Sequence, residues 1–107
     1  MDVEARLATG RIRGRAADGY AVFRNIPFAR PPVGDLRFAA PQPPLAWDGV
    51  RDGTRSGPGC PQPALPGADP MARLHNPAVT GDDCLTLEVW TPGPGPFPVG
   101  LPVMVWI

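Results

Sequence analysis

An antiparallel β meander, joined by long proline- and glycine-rich loops to the start of a central sheet, is the architecture this sequence predicts. Three observations carry it. Leu85, Leu87 and Val89 alternate with Thr86, Glu88 and Trp90 ahead of Pro92, the period of two expected of a strand with one buried face. Near the N-terminus, short segments are separated by Gly10 and by the Asp18-Gly19 pair, which are hairpin punctuation. At the far end, Val103-Met104-Val105-Trp106-Ile107 is apolar at every position, the pattern of a strand buried on both faces.

Taken in order, Val3 to Leu7, Arg11 to Arg15 and Tyr20 to Arg24 form the arms of the meander, with arginines on its exposed side. The third arm runs through Phe23 into Ile26-Pro27-Phe28-Ala29. Pro31, Pro32, Pro41, Pro43 and Pro44 then impose extended backbone without ladder hydrogen bonds. From Ala46 to Pro77 the only helical signal is a single turn at Pro70 to Leu74. Loops this long are usually functional or covalently tied. Pro92 to Pro102 alternates proline and glycine and reads as a linker into the apolar run. A chain terminus on a doubly buried strand would leave a carboxylate without a partner. Residues 1–107 are therefore expected to be the N-terminal part of a longer domain. No internal repeat is visible.

Composition bounds the function. The 107 residues contain 17 prolines and 13 glycines, in the range where aperiodic composition starts to suggest disorder. Lys plus Arg number 10 and Asp plus Glu number 10, so nothing points to nucleic acid or to an anionic membrane surface. Every cation is arginine. No run is long enough to span a membrane, and Met1-Asp2-Val3-Glu4-Ala5-Arg6 carries no apolar signal segment. A cytoplasmic location is the expectation, with secretion left open.

Few residues could carry chemistry. Ser56 stands fourth in Gly53-Thr54-Arg55-Ser56-Gly57, whereas a nucleophile elbow needs serine third of five, so Ser56 reads as a loop residue. His75 has no motif around it and reads as structural or exposed. Cys60, Cys84 and His75 lack the clustered spacing of a zinc site, and no metal is expected. Asp82 and Asp83 crowd Cys84 at the start of the alternating strand and need partners elsewhere. Arg37, framed by Leu36 and Phe38, and the second cysteine, Cys60, are the residues on offer.

Gly81-Asp82-Asp83-Cys84-Leu85-Thr86-Leu87-Glu88-Val89-Trp90-Thr91-Pro92 resembles the second signature of the type-B carboxylesterases, usually Glu-Asp-Cys-Leu-x-Leu-Asn-Val-x-x-Pro. Here Asp82 stands for the glutamate and Glu88 for the asparagine. Asn25-Ile26-Pro27-Phe28-Ala29-Arg30-Pro31-Pro32-Val33-Gly34-Asp35-Leu36-Arg37-Phe38 is similar to a second block of the family. Trp47-Asp48-Gly49-Val50, Cys60-Pro61-Gln62 and the closing apolar run follow in the family's order. The resemblance implies the α/β-hydrolase fold, with residues 1–107 ending before the oxyanion-hole loop.

It implies the N-terminal segment of a serine carboxylesterase whose Ser-His-Glu/Asp triad lies outside the chain. The parent would act on a small-molecule ester with no cofactor, and the segment alone would be inactive. It further implies that Cys60 and Cys84, with 23 residues between them, form the family's first disulfide, stabilising by about 3.5 kcal/mol on the chain-entropy model. Two reduced thiols are the alternative in a reducing compartment. By the same resemblance Arg37 pairs with Asp82, and His75 sits near a gorge-lining position. A non-catalytic, neuroligin-like binding protein on the same scaffold and a small proline-rich interaction protein are the competing readings. A missing elbow serine downstream would favour the first. Recognition of Pro41-Gln42-Pro43-Pro44 by an aromatic groove would characterise the second.

Overall fold

The computed structural model describes residues 1–67, 70–72, 79–93 and 96–107. Alternation dictates its centre. β1 (Asp2–Leu7) and β2 (Gly10–Ala17) pair antiparallel with Val3 opposite Gly14, Ala5 opposite Ile12 and Leu7 opposite Gly10. Directly opposed residues share a face, so these side chains gather on one side. Asp2, Glu4, Arg6, Arg11, Arg13 and Arg15 gather on the other, where all are exposed. The expected arginine-rich outer face is present. On it Arg11 meets Glu4 at 3.7 Å and Arg13 meets Asp2 at 3.9 Å, exposed pairs worth at most about 1 kcal/mol each.

β3 (Tyr20–Pro27) follows the Asp18-Gly19 turn and pairs with β2 only over Arg15 to Ala17. It then diverges. The edge of β2 that it vacates, Arg11 to Arg13, is taken in parallel by β4 (Val50–Asp52). Gly53, just beyond β4, fills the wedge between the diverging strands. Its N–H donates to Arg13 O at 2.7 Å and its carbonyl accepts from Arg24 N at 2.9 Å. A Cβ there would lie 2.8 Å from both Arg13 O and Ile12 Cδ1, so this close approach admits only glycine. β5 (Thr86–Thr91) pairs antiparallel with β3 and completes a five-stranded sheet ordered β1-β2-β3-β5, with β4 against β2.

The core is small: Ile12, Ala21 and Phe23, flanked by Val3, Ala5, Leu7, Ala16 and Ile26. Ile12 is fully inaccessible. Between β3 and β4 the chain is irregular apart from one 3₁₀ turn at Gly34–Leu36, as its prolines predict.

Two expectations need correction. Leu87 and Val89, on the same face as Ile26 and Phe23, were predicted to be buried, yet they remain 42% and 40% exposed. β5 is an edge strand, and the described residues place no covering layer over its end of the core face. Val103 to Ile107 forms no strand and is exposed at every position. A strand draws its hydrogen bonds from neighbouring strands, and this run pairs with none of the described ones. The predicted turn from Pro70 to Leu74 lies partly outside the described residues.

Candidate functional site

A β-bulge sets the geometry of a connected side-chain cluster. Between the pairs Phe23–Val89 and Ile26–Leu87, two β3 residues, Arg24 and Asn25, oppose the single β5 residue Glu88. Asn25 takes a left-handed φ of 55°, a conformation that asparagine tolerates better than most residues. Bulges of this kind bend the strand and re-aim side chains.

Both bulge residues use that freedom. Arg24 Nε donates to Glu88 Oε2 at 3.2 Å, and its guanidinium lies 5.6 Å above the Trp90 ring. The other carboxylate oxygen of Glu88 accepts the Ser56 hydroxyl. Asn25 accepts from Arg51 twice, its carbonyl oxygen from Nε at 2.9 Å and its Oδ1 from a terminal guanidinium nitrogen at 3.1 Å. Arg51 in turn stacks 5.5 Å over Trp47. Charge-assisted bonds are the stronger kind, and here they tie β3, β5 and residues 51–56 together at one point.

The cluster is a clamp rather than a catalytic centre. A serine nucleophile needs an imidazole or equivalent base to take its proton. Here the Ser56 hydroxyl donates to Glu88, whose other carboxylate oxygen accepts from Arg24.

The other predicted residues divide. A short parallel bridge joins Gly59 to Thr80, with Gly59 N–H donating to Val79 O at 2.9 Å and Gly81 N–H to Gly59 O at 3.1 Å. This zipping brings Cys60 and Cys84, both free thiols, near one another. The contact with Cys60 pushes the Cys84 thiol above its ordinary value of 9.0, and partial burial and the nearby charge of Asp82 act in the same direction.

Arg37 and Asp82 are not brought together. The Arg37 guanidinium lies 5.2 Å over the ring of Phe38, both residues of the expected pair are exposed, and no ion pair joins them. Phe38 adopts a left-handed φ of 59°, which folds its ring under the preceding side chain. His75 lies outside the described residues. Among the described residues, no group of three or more His, Cys, Asp or Glu side chains could hold a metal ion, and no helix is long and apolar enough to cross a membrane.

Sequence reasoning marked Glu88 only as a departure from a motif and missed the clamp. One signal was available: a carboxylate in the middle of a half-buried strand must find a donor. Which donor depends on the bulge, which no local pattern announces.

Residues 2–107 match the family model described as the carboxylesterase family. Over 103 residues the chain is 45% identical to phenmedipham hydrolase of Pseudarthrobacter oxydans, covering 96% of this chain and 20% of that protein. It is 43% identical over 102 residues to fumonisin B1 esterase of Sphingopyxis macrogoltabida, covering 92% and 17%. Human (Homo sapiens) cocaine esterase is 40% identical over 109 residues, with 92% and 20% covered. Among solved structures, a PNB esterase superposes with a TM-score of 0.72 at 36% identity, covering 83% of this chain and 18% of that one. The chain thus spans about a fifth of the length of these relatives.

Proposed function

The chain belongs to the carboxylesterase family and shares its α/β-hydrolase fold, and from that premise we propose that residues 1–107 are the N-terminal segment of a serine carboxylesterase domain. The whole domain would acylate and deacylate its serine on a small-molecule carboxylic ester, with the Ser-His-Glu/Asp triad supplied by residues outside this segment. No cofactor is required by that chemistry. The observation that carries the reading is the family match from residue 2 to residue 107.

The segment's part is scaffold. Its sheet presents β5 and the apolar run from Val103 to Ile107 to the rest of the domain, which accounts for the exposure of Leu87, Val89 and the run itself. Cys60 and Cys84, free thiols near one another, would close the domain's first disulfide in an oxidising environment.

Hydrolysis of p-nitrophenyl acetate tests the proposal. The 107-residue chain alone should release no nitrophenol above buffer. A polypeptide carrying this segment together with a downstream Gly-x-Ser-x-Gly elbow should turn the ester over. Turnover by the isolated chain, or its absence in the extended one, would refute the reading.

A further inference from the structure

Ser56 lies four residues before Cys60, and Glu88 lies four residues after Cys84. The Ser56–Glu88 hydrogen bond therefore spans the same two segments that the thiols span. Between Ser56 and Cys60, Gly59 is bound to Val79 and Gly81, which precede Cys84. Glu88 is itself fixed by Arg24, whose side chain and that of Glu88 are 29% and 28% exposed. Thr86 N–H donates to Cys84 O at 2.9 Å, so the cysteine is held close to the start of β5. We infer that the Arg24–Glu88–Ser56 clamp is a positioning device for the Cys60–Cys84 pair, setting how readily the two thiols become a disulfide.

The physical argument is one of effective concentration. Closing a disulfide against a small-molecule disulfide such as glutathione disulfide is a competition between an intramolecular and an intermolecular partner. Cys60 and Cys84 each give up a proton, and together they give up two electrons. The glutathione S–S bond breaks as the Cys60–Cys84 bond forms, and two glutathione thiols are released. The equilibrium thus measures how tightly one sulfur is confined near the other. Cys60 is exposed and sits in an irregular segment, so confinement must come from hydrogen bonds beside it. The Gly59 bridge restrains the residue next to Cys60, and Ser56 on Glu88 restrains the same approach three residues further upstream. Glu88 stands where the related signature carries asparagine, so this chain has a charged acceptor at the position that grips the loop.

The inference rests on the disulfide reading above, and the experiment separates the two. The chain, Ser56→Ala and Glu88→Gln are equilibrated in glutathione buffers of graded redox poise and acid-quenched, and oxidised and reduced forms are counted by mass after alkylation. The unsubstituted chain should form the Cys60–Cys84 disulfide. Ser56→Ala and Glu88→Gln should each lower the equilibrium constant about tenfold, in keeping with loss of a hydrogen bond to a charged group. Ser56→Thr, which keeps the hydroxyl, should restore it. Asp2→Asn, which weakens an ion pair elsewhere in the sheet, should leave it unchanged. Absence of oxidation in the unsubstituted chain would overturn the disulfide reading. Equal constants in all variants, with unchanged far-ultraviolet circular dichroism, would overturn the clamp's role alone. Should Glu88→Gln unfold, Ser56→Ala, which changes only an exposed residue, still decides.

Discussion

The indole N–H of Trp47 donates to the carbonyl oxygen of Arg11 at 2.7 Å, fastening the loop before β4 to the start of β2. Trp47 N–H also donates to Thr9 O at 2.9 Å. A Cβ on Gly10 would lie 2.6 Å from Trp47 Nε1, so the ring fits only because residue 10 is glycine. Trp47→Phe should therefore destabilise by about 1 kcal/mol through the lost hydrogen bond. Gly10→Ala should cost about 1–3 kcal/mol by overpacking. Urea titration followed by circular dichroism reads both, and a larger effect from Trp47→Phe would contradict the assignment.

Among the described residues Ile12 is the one large side chain with no accessible surface, and it clusters with Ala21 and Phe23 of β3, with Val3, Ala5 and Leu7 of β1 packed against them. Ile12→Val should cost about 1 kcal/mol and Ile12→Ala about 2–5 kcal/mol, the second leaving a cavity that a thin sheet cannot fill. The same titration measures both, and a neutral Ile12→Ala would show that this cluster is not the core.

Asp52 accepts from Thr54 Oγ1 at 2.8 Å and from Thr54 N–H at 3.0 Å. These bonds, with Arg13 and Arg55 nearby, hold its carboxyl below the ordinary value of 3.8. A depressed folded value means that the stabilisation is present in full above pH 3.8 and is lost as the pH falls through the folded value. Thr54→Val removes the hydroxyl, the largest contributor, and should raise the midpoint toward 3.8. Carboxyl carbon chemical shifts against pH would show it, and an unmoved midpoint would disprove the contribution.

Cys84 behaves in the opposite sense. Its thiol is raised above 9.0, chiefly by Cys60, so the contact favours the folded chain below pH 9.0 and ceases to do so as the pH rises through the folded value. Alkylation of Cys84 by iodoacetamide should have a midpoint above pH 9.0, since the thiolate is the reactive form. Cys60→Ala should lower that midpoint. A midpoint that does not respond to Cys60→Ala would exclude the thiol–thiol contact.

The meander was legible because its causes are local. Alternation at Val3, Ala5 and Leu7, and at Ile12 and Gly14, with turn residues at Gly10 and Asp18-Gly19, specifies two hairpins without reference to anything distant. Thr86 to Thr91 was legible for the same reason. What the local pattern could not carry was pairing at long range. Val50 to Asp52 has no strong strand signal and becomes a strand because β3 leaves part of β2 unpaired. The bulge at Arg24 and Asn25 depends on β5 arriving in one register, and the partners of Glu88 follow from the bulge. The Cys60–Cys84 disulfide and the Arg37–Asp82 pair were both expected from resemblance; the cysteines are free thiols, and Arg37 lies over the Phe38 ring. The burial of Leu87 and Val89 failed as an expectation because periodicity names a face but not what lies over it.

The sheet's strand order also implies a sequence of events in time. β1, β2 and β3 are joined by short turns, so their hairpins close on the microsecond scale. β5 reaches β3 only after the whole excursion between Pro27 and Thr86 has been drawn in, a closure with a far larger entropic barrier. In pulse-labelling hydrogen exchange, amides of the β1–β2 hairpin should gain protection before those of β5, and simultaneous protection would argue for a single concerted step. The residues that meet last, Arg24 and Glu88, are thus a latch that closes on an already assembled frame.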